Sequence, residues 1–534
     1  MTEPPAQPSP PVGPPSAPLD AAVEIGSAPL ARMGLILGPL LALAWLAIPA
    51  AWIGPPADYP AEAHRLMGVL ILIGVWWLTE PIPIPATGLL GVVLCVFLRV
   101  VPAERLPPKT SVEQLLLARF SDTSVYFLLG GLFIGLAMSR HGLDRRFALF
   151  ILTRRWAGRR PEAVLAALGL AVMLISMWTS NTAATAMIYP VAMGVIAVLG
   201  RASPGLARGR FATAILLMVA FASGAGGVAT PIGTPTNLVA RGMLRAEGVE
   251  IPFFEWLQVG LPLSVLLYCG LFLWMSQWRA PAGLDLPSLR SSLAQERASL
   301  GRLGRGEINT LVTFLVVVAL WITPGVLAIA LPQGTDNQLY KQYTAYLPES
   351  TVALLAPILL FLLPVNFTQR RFTLEPEDFT RIDWGTILLY GSGLALGTAM
   401  FESGLAERIG RLALRASGTE SVWAVTALAI VAGICISNIT SNVAAANMLV
   451  PVIIKLCQEA QMNAIYPVMG ACLACSFGSC LPVSTPPNAI VYGSRLIPLR
   501  RMILGGLGMD LMAGTGIWIV LRLAGQFGWK SGVL

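Results

Sequence analysis

The sequence predicts an all-α polytopic membrane protein from its composition, its hydropathy and the recurrence of apolar stretches. Hydrophobic residues make up 55% of the 534 residues and charged residues only 12%, about half the charged share of a soluble protein. Mean hydropathy is +0.70, and apolar stretches recur from Met33 to Leu523. These observations exclude a soluble enzyme, a nucleic-acid-binding protein and a disordered scaffold.

The amino-terminal segment differs from the rest of the chain. Residues 1–30 contain nine prolines among Gly, Ser and Ala, and such a composition buries too little apolar surface to offset chain entropy. The first basic residue is Arg32, so the segment lacks the basic region of a signal peptide. We predict a disordered Pro-rich tail on the cytoplasmic side.

The apolar stretches after the tail predict about eleven transmembrane helices. We place them at 33–54, 66–80, 86–101, 124–139, 211–245, 257–277, 309–331, 351–366, 384–400, 467–494 and 503–525. An odd number of spans puts the two termini on opposite faces of the membrane.

Two further apolar stretches, 162–199 and 421–457, are each interrupted by small polar residues. Each is too long for one span and awkward for two. Irregular backbone at membrane depth is tolerated only where protein or a wet cavity covers it. We therefore predict a re-entrant hairpin in each stretch.

The distribution of basic residues predicts the orientation. The loops 140–160, 201–210, 278–306, 368–383 and 495–501, together with Arg32, hold 22 of the 36 Lys and Arg residues. Because Lys and Arg accumulate on cytoplasmic loops, this bias places the N-terminus in the cytoplasm of a cell (inner or plasma) membrane. It does so only if the stretch 162–199 enters and leaves from the same face.

The chain also repeats itself. SMWTSNTAATAMIYP (176–190) aligns with SNITSNVAAANMLVP (437–451), and GTPTN (233–237) aligns with STPPN (484–488). Five spans and a hairpin separate equivalent points, so the copies are inverted relative to each other, as in secondary transporters. We expect a first repeat at 31–277, a cytoplasmic linker at 278–306 and a second repeat at 307–534.

The repeated motifs carry chemistry suited to ions. Ser, Thr and Asn side chains and freed carbonyls are hard, neutral oxygen ligands, which suit a weakly held alkali cation. The helix that begins after each interruption presents unpaired N–H groups and the positive end of its dipole, which suit an anion. Proline within 211–245 and 467–494 breaks each of these spans and frees further carbonyls.

The paired SNT and SNV motifs, GTPTN, TPPNAIVYGS and TEPIPIPATGLL (79–90) resemble the divalent anion:sodium symporter (DASS) family of di- and tricarboxylate and sulfate carriers. The resemblance runs from about residue 66 to residue 525. It implies two inverted repeats with eleven spans and two re-entrant hairpins, a homodimer, and an elevator motion of transport domains against a scaffold. Two positions depart from the family pattern: Val443 stands where many relatives have threonine, and Thr236 where many have proline.

The resemblance also implies the site residues. The first sodium site would comprise Ser176, Ser180, Asn181 and the Gly233 carbonyl, and the second Ser437, the Thr440 carbonyl, Asn442 and the Ser484 carbonyl. The substrate-binding residues would be Ser180, Asn181, Thr182, Thr234, Pro235, Ser441, Asn442, Val443, Thr485 and Pro486.

We therefore expect a sodium-coupled symporter of small divalent organic anions, above all C4-dicarboxylates such as succinate, malate or fumarate. A sulfate or citrate carrier and a sodium-independent dicarboxylate exchanger remain as alternatives. An intramembrane protease would need Ser with His or Lys, or paired Asp, and neither hairpin tip offers them. We predict no enzymatic activity, no nucleic-acid partner and sodium ions as the co-transported cations.

Overall fold

The computed structural model describes residues 28–55, 59–202, 208–278, 286–418 and 421–529. The predicted disordered tail lies outside the described residues except for 28–30, and the predicted linker 278–306 is described at 278 and from 286 onward. The described chain is nearly all helix, with one two-stranded antiparallel hairpin, β1 (Pro364–Asn366) and β2 (Arg371–Phe372). The predicted all-α polytopic fold is confirmed.

The helices follow the predicted segments through the first half of the chain. They are α1 (Ala28–Ala47), α2 (Ala50–Ile53), α3 (Ala61–Thr79), α4 (Ile84–Phe97), α5 (Val112–Leu117), α6 (Thr123–His141), α7 (Leu143–Leu152), α8 (Pro161–Ser176), α9 (Asn181–Ala202), α10 (Arg210–Gly227), α11 (Pro235–Ala246), α12 (Phe253–Ser276) and α13 (Leu286–Ser299). Short 3-10 turns cover Ala103–Arg105 and Ala118–Ser121.

The second half has the same order of long, paired and broken helices. They are α14 (Arg305–Ala330), α15 (Gln338–Tyr346), α16 (Glu349–Leu362), α17 (Trp384–Glu402), α18 (Leu405–Ser417), α19 (Val422–Ser437), α20 (Asn442–Glu459), α21 (Ile465–Cys475), α22 (Pro486–Tyr492) and α23 (Leu499–Gln526). Further 3-10 turns cover Gly334–Asp336 and Pro376–Arg381.

Nine helices in the described residues are long and apolar enough to cross a membrane, or ten if α15 and α16, bent by 47°, form one span. The shorter apolar helices α4, α8, α19 and α21 coincide with a predicted span, the two predicted hairpins and a predicted broken helix. The first helix ends at Ala47, before the predicted residue 54, because Pro49 has no N–H to continue the helical hydrogen bonds.

The helices pack into two groups. The hairpin bundle, α8–α12 with α19–α23, is centred on α10, and 89% of the 18 residues of α10 are buried. The frame comprises α1, α3, α4, α6, α14, α16 and α17. The two groups meet where α17 contacts α11 and α20, where α6 contacts α11, and where α12 contacts α14.

Charged residues at one end of the frame fix α6 and α7. The Arg140 guanidinium pairs with Glu375 at 2.7 Å and with Asp378, and it holds the pKa of the Glu375 carboxyl below its usual range. Arg146 donates to Glu307 on α14 at 2.5 Å and to the Leu300 and Gly301 carbonyls. The frame thereby holds the helix that leads into the first hairpin.

Candidate cation and substrate site

Three oxygens converge where α8 ends. The Ser176 hydroxyl lies 2.7 Å from the Asn181 amide oxygen and 2.8 Å from the Ser223 carbonyl oxygen of α10. Ser176 is fully buried. A hydroxyl has one proton and satisfies one of these acceptors at a time, so the group retains unused oxygen lone pairs. Hard, neutral oxygens arranged in this way suit an alkali cation.

The second hairpin repeats this arrangement. The Ser437 hydroxyl lies 2.7 Å from the Asn442 amide oxygen and 2.6 Å from the Cys475 carbonyl oxygen of α21. Ser437 is also fully buried. We name these groups the first oxygen cluster (Ser176, Asn181 and the Ser223 carbonyl) and the second oxygen cluster (Ser437, Asn442 and the Cys475 carbonyl).

The breaks in the two broken helices are braced identically. The Asn237 side chain donates to the Gly227 and Thr230 carbonyls at 2.9 and 2.8 Å. The Asn488 side chain donates to the Gly478 and Leu481 carbonyls at 3.1 and 3.0 Å. The Thr230 and Leu481 carbonyls also accept a backbone N–H. The amide is therefore the partner that the break leaves to the buried Gly227 and Gly478 carbonyls among the described residues.

Each break also contacts the tip of its hairpin. Thr230 donates to the Met177 carbonyl, and the Ser484 hydroxyl donates to the Asn438 carbonyl at 3.0 Å. A Cβ atom on Gly227 would lie 2.3 Å from the Asn181 amide oxygen, and one on Gly478 would lie 2.4 Å from the Ser437 carbonyl. Glycine at these two positions therefore permits the close approach of tip and break.

The two repeats meet directly at their breaks. The Thr236 hydroxyl on α11 lies 2.7 Å from the Ser476 hydroxyl, which follows α21. The Ser476 carbonyl accepts a hydrogen bond from the Asn442 side chain at 3.4 Å. A chain of contacts therefore joins the first broken helix to the second oxygen cluster, at the position where the sequence departs from the proline of many relatives.

The structure brings four of the predicted sodium ligands into contact in pairs and gives others different hydrogen-bond partners. Ser176 and Asn181 are in contact, as are Ser437 and Asn442. The Ser180 hydroxyl instead accepts the Ala183 N–H at the start of α9. The side chain of Thr440 donates to the Trp77 carbonyl of α3 at 3.2 Å, so the second tip rests against the frame. Gly233 packs against the Gly227 carbonyl, 2.4 Å from where a Cβ atom would lie.

The predicted substrate-binding residues lie at the starts of helices. Asn181 and Asn442 begin α9 and α20, and Thr234 precedes α11. Their exposure differs along the site. Ser180 and Pro486 are exposed; Asn181, Thr182, Pro235, Ser441, Asn442 and Thr485 are half-buried; Thr234 and Val443 are buried. The side chain of Val443 therefore offers the tip apolar packing in place of a hydroxyl.

Sequence reasoning missed three members of the site. The Ser223 and Cys475 carbonyls complete the oxygen clusters, and Ser476 links the two repeats. A carbonyl ligand leaves no signature in residue type, because every residue carries one. The signal available was positional: both carbonyls lie shortly before a predicted helix break.

In the comparisons with known proteins, this chain is similar to sodium-dependent anion transporters. Residues 36–531 match the family described as the sodium:sulfate symporter transmembrane region. The "Sodium-dependent dicarboxylate transporter SdcS" of Staphylococcus saprophyticus is 28% identical over 496 residues, which cover 92% of this chain and 90% of that protein. The protein of the same name from Staphylococcus aureus is 29% identical over 498 residues, with the same coverage.

A solved structure shares the fold. The transporter YdaH of Alcanivorax borkumensis superposes with a TM-score of 0.54, covering 86% of this chain and 98% of that chain. Its sequence is 15% identical, so the likeness concerns the fold alone.

Proposed function

The chain belongs to the sodium:sulfate symporter family, and from this premise we propose that it is a sodium-coupled symporter of C4-dicarboxylates such as succinate, malate or fumarate. Membership of this family of transporters confirms the resemblance seen in the sequence and the prediction that the protein is not an enzyme. The substrate and the elevator mechanism are part of the proposal.

The observation that carries the proposal is the pair of equivalent oxygen clusters, each with a buried serine hydroxyl within 2.8 Å of two acceptor oxygens. Their ligands are uncharged, so a bound sodium ion would bring positive charge that the clusters lack. An anion beside the same tips would then bind more tightly, and by linkage the anion would strengthen sodium binding equally.

The choice of a dicarboxylate rests on the number of tips and on the relatives. Two hairpin tips with hydroxyl, amide and helix-end N–H donors would hold one carboxylate each. The named relatives are sodium-dependent dicarboxylate transporters. Sulfate is the second candidate, because the family description names it. It is compact and would need both tips to close on one centre, where Val443 offers no hydroxyl.

The elevator mechanism is supported by the division into hairpin bundle and frame. Small residues lie along their boundary: Gly135 of α6 packs against Thr179 of the first tip, and Gly393 of α17 against Asn447 of α20. At these two glycines the frame presents no side chain that would obstruct sliding. The homodimer rests on the resemblance alone, and the cytoplasmic N-terminus rests on the charge bias of the loops.

Uptake by proteoliposomes tests the proposal. Purified protein should accumulate radiolabelled succinate when an inward sodium gradient is imposed, and accumulate little when choline replaces sodium. Citrate and sulfate, assayed alongside, should be taken up more slowly. Equal succinate uptake in sodium and choline would favour the exchanger, and faster sulfate uptake would favour the sulfate carrier.

A further inference from the structure

A carboxylate lies buried within the last membrane-spanning helix. Asp510 is in the twelfth position of α23, only 4% exposed, where α23 packs against α19 and α21 of the second repeat. An ionisable residue at membrane depth is costly and marks functional positions more often than structural ones. None of the sequence motifs described above includes it.

The hydrogen-bond partners of Asp510 are all neutral. Its carboxylate accepts from the Asn438 side chain at 2.7 Å, from the Ser479 N–H at 3.1 Å and from the Cys480 thiol at 3.3 Å. Within the part of the chain that the structure describes, Asp510 forms no ion pair with Lys or Arg. Its charge therefore has no protein counter-ion there.

These partners are the segments that shape the second oxygen cluster. Asn438 directly follows Ser437, its carbonyl accepts from Ser484, and its amide oxygen accepts the Cys480 N–H at 3.0 Å. Ser479 and Cys480 lie in the break of the second broken helix. Asp510 thus ties the hairpin tip and the break to α23, next to the cluster but outside it.

The first repeat shows that the fold does not require this charge. By the alignment of GTPTN with STPPN, Val228 and Ala229 correspond to Ser479 and Cys480. Gly260 of α12 packs on the carbonyls of Val228 and Ala229, as Gly506 of α23 packs on the Ser479 carbonyl.

Four residues after each of these glycines come Ser264 in α12 and Asp510 in α23. Ser264 is fully buried, and its hydroxyl has no hydrogen-bond partner among the described residues. The residue corresponding to Asn438 is Met177. The first repeat therefore keeps the same packing without a carboxylate.

We propose that Asp510 is a positioning residue for the second oxygen cluster and that its charge makes this cluster bind sodium more tightly than the first cluster. The inference rests on the proposed sodium coupling. In a medium of low dielectric constant a carboxylate close to a cation site favours occupation of that site, and the hydrogen bonds through Asn438 and Cys480 hold tip and break in register. The two sites would then fill in a fixed order, the second cluster first.

The test compares Asp510→Asn, which removes the charge with little change of shape, with Ser264→Ala at the corresponding position of the first repeat. Thermal unfolding of the detergent-solubilised protein without substrate is followed across a sodium titration at constant ionic strength with choline. Asp510→Asn should raise the half-saturating sodium concentration about tenfold, or about 1.4 kcal/mol. Ser264→Ala should leave it unchanged.

Two further measurements separate positioning from a general structural defect. Asp510→Glu, which keeps the charge, should restore sodium affinity toward wild type, and the succinate KM of Asp510→Asn at saturating sodium should stay near wild type. If Asp510→Asn does not fold, Asn438→Leu, which cuts the link but leaves the charge, should also raise the half-saturating sodium concentration, by less than tenfold. Wild-type sodium affinity in a folded Asp510→Asn or Asn438→Leu protein would overturn this inference alone, whereas a wild type that does not respond to sodium would overturn the proposed function as well.

Discussion

At the residue scale, the proposed sodium and substrate site depends most on Asn181 and Asn442. Each begins a helix and places its amide oxygen 2.7 Å from the buried serine of its tip. We propose that each contributes to sodium and to substrate binding. Alanine at either position removes both contributions, at about 1–3 kcal/mol per lost interaction.

We therefore expect Asn181→Ala and Asn442→Ala each to lower sodium-driven succinate uptake by about 10- to 100-fold or more. The matched control is Asn337→Ala, a half-buried asparagine that caps α15 away from both oxygen clusters. Size-exclusion profiles should match wild type. Near-normal uptake by both variants would disprove the assignment of these residues.

The serines separate sodium binding from substrate binding. Ser176 and Ser437 are fully buried below the tips, so we assign them to the cation alone. Ser176→Ala and Ser437→Ala should raise the sodium concentration for half-maximal uptake several-fold, at about 1 kcal/mol per lost contact. The succinate KM at saturating sodium should change less. A larger effect on the succinate KM than on sodium dependence would reverse this assignment.

How far these residues could be predicted depends on their chemistry. The serine and asparagine pairs were visible in the sequence because polar residues interrupt an apolar stretch twice in the same pattern. The Ser223 and Cys475 carbonyls and the Asp510 carboxylate were not visible, because a backbone ligand has no residue signature and a single Asp in a span has no periodic partner.

At the element scale, the two hairpins determine on which face of the membrane the loops that flank them lie. The first hairpin joins α8 to α9 and the second joins α19 to α20, with each pair of helices in contact. Their positions followed from the interrupted apolar stretches. The paired carbonyl braces of Asn237 and Asn488 could not be predicted, because they depend on how the chain bends after each break.

Cysteine labelling tests whether these hairpins are re-entrant. In a cysteine-free background, Arg155→Cys and Arg208→Cys flank the first hairpin, and Arg415→Cys and Gln461→Cys flank the second; all four positions are exposed. An impermeant maleimide should label the first pair from the cytoplasm and the second pair from outside. If positions 155 and 208 were labelled from opposite faces, the first hairpin would be a single span and the inverted repeat would fail.

The contact between the breaks gives a second prediction at this scale. Thr236→Val removes the hydroxyl that meets Ser476 at 2.7 Å while keeping the volume of the side chain. The free energy of unfolding should fall by about 1 kcal/mol. Sodium should also increase succinate affinity by a smaller factor than in wild type. The control is Thr398→Val, a buried threonine whose hydroxyl bonds within its own helix to the Leu394 carbonyl. Equal effects of the two variants would remove any special role for Thr236.

At the scale of the whole molecule, we propose that the hairpin bundle moves against the frame during transport. The internal repeat predicted two similar halves, but not which helices face each other across the boundary. The contact of Gly393 with Asn447 across the boundary and the ion pair of Arg140 with Glu375 within the frame join residues that no sequence motif pairs.

A substitution at the boundary tests the motion. A Cβ atom on Gly393 would lie 2.0 Å from the Asn447 side chain, whereas one on Gly74 would meet only the end of Met448 at 3.6 Å. Gly393→Ala should therefore slow succinate uptake markedly while sodium still stabilises the protein against thermal unfolding. Gly74→Ala should transport normally. Normal uptake by Gly393→Ala would argue against sliding at this contact.

We propose that the two equivalent oxygen clusters bind sodium and thereby create the site for a dianion. Isothermal titration calorimetry of purified protein measures this coupling directly. The Kd of succinate is determined at low and at saturating sodium, and the Kd of sodium is determined without and with succinate. We predict that sodium lowers the succinate Kd, and that succinate lowers the sodium Kd by the same factor, because linkage is reciprocal. A succinate Kd that does not depend on sodium would contradict the claim.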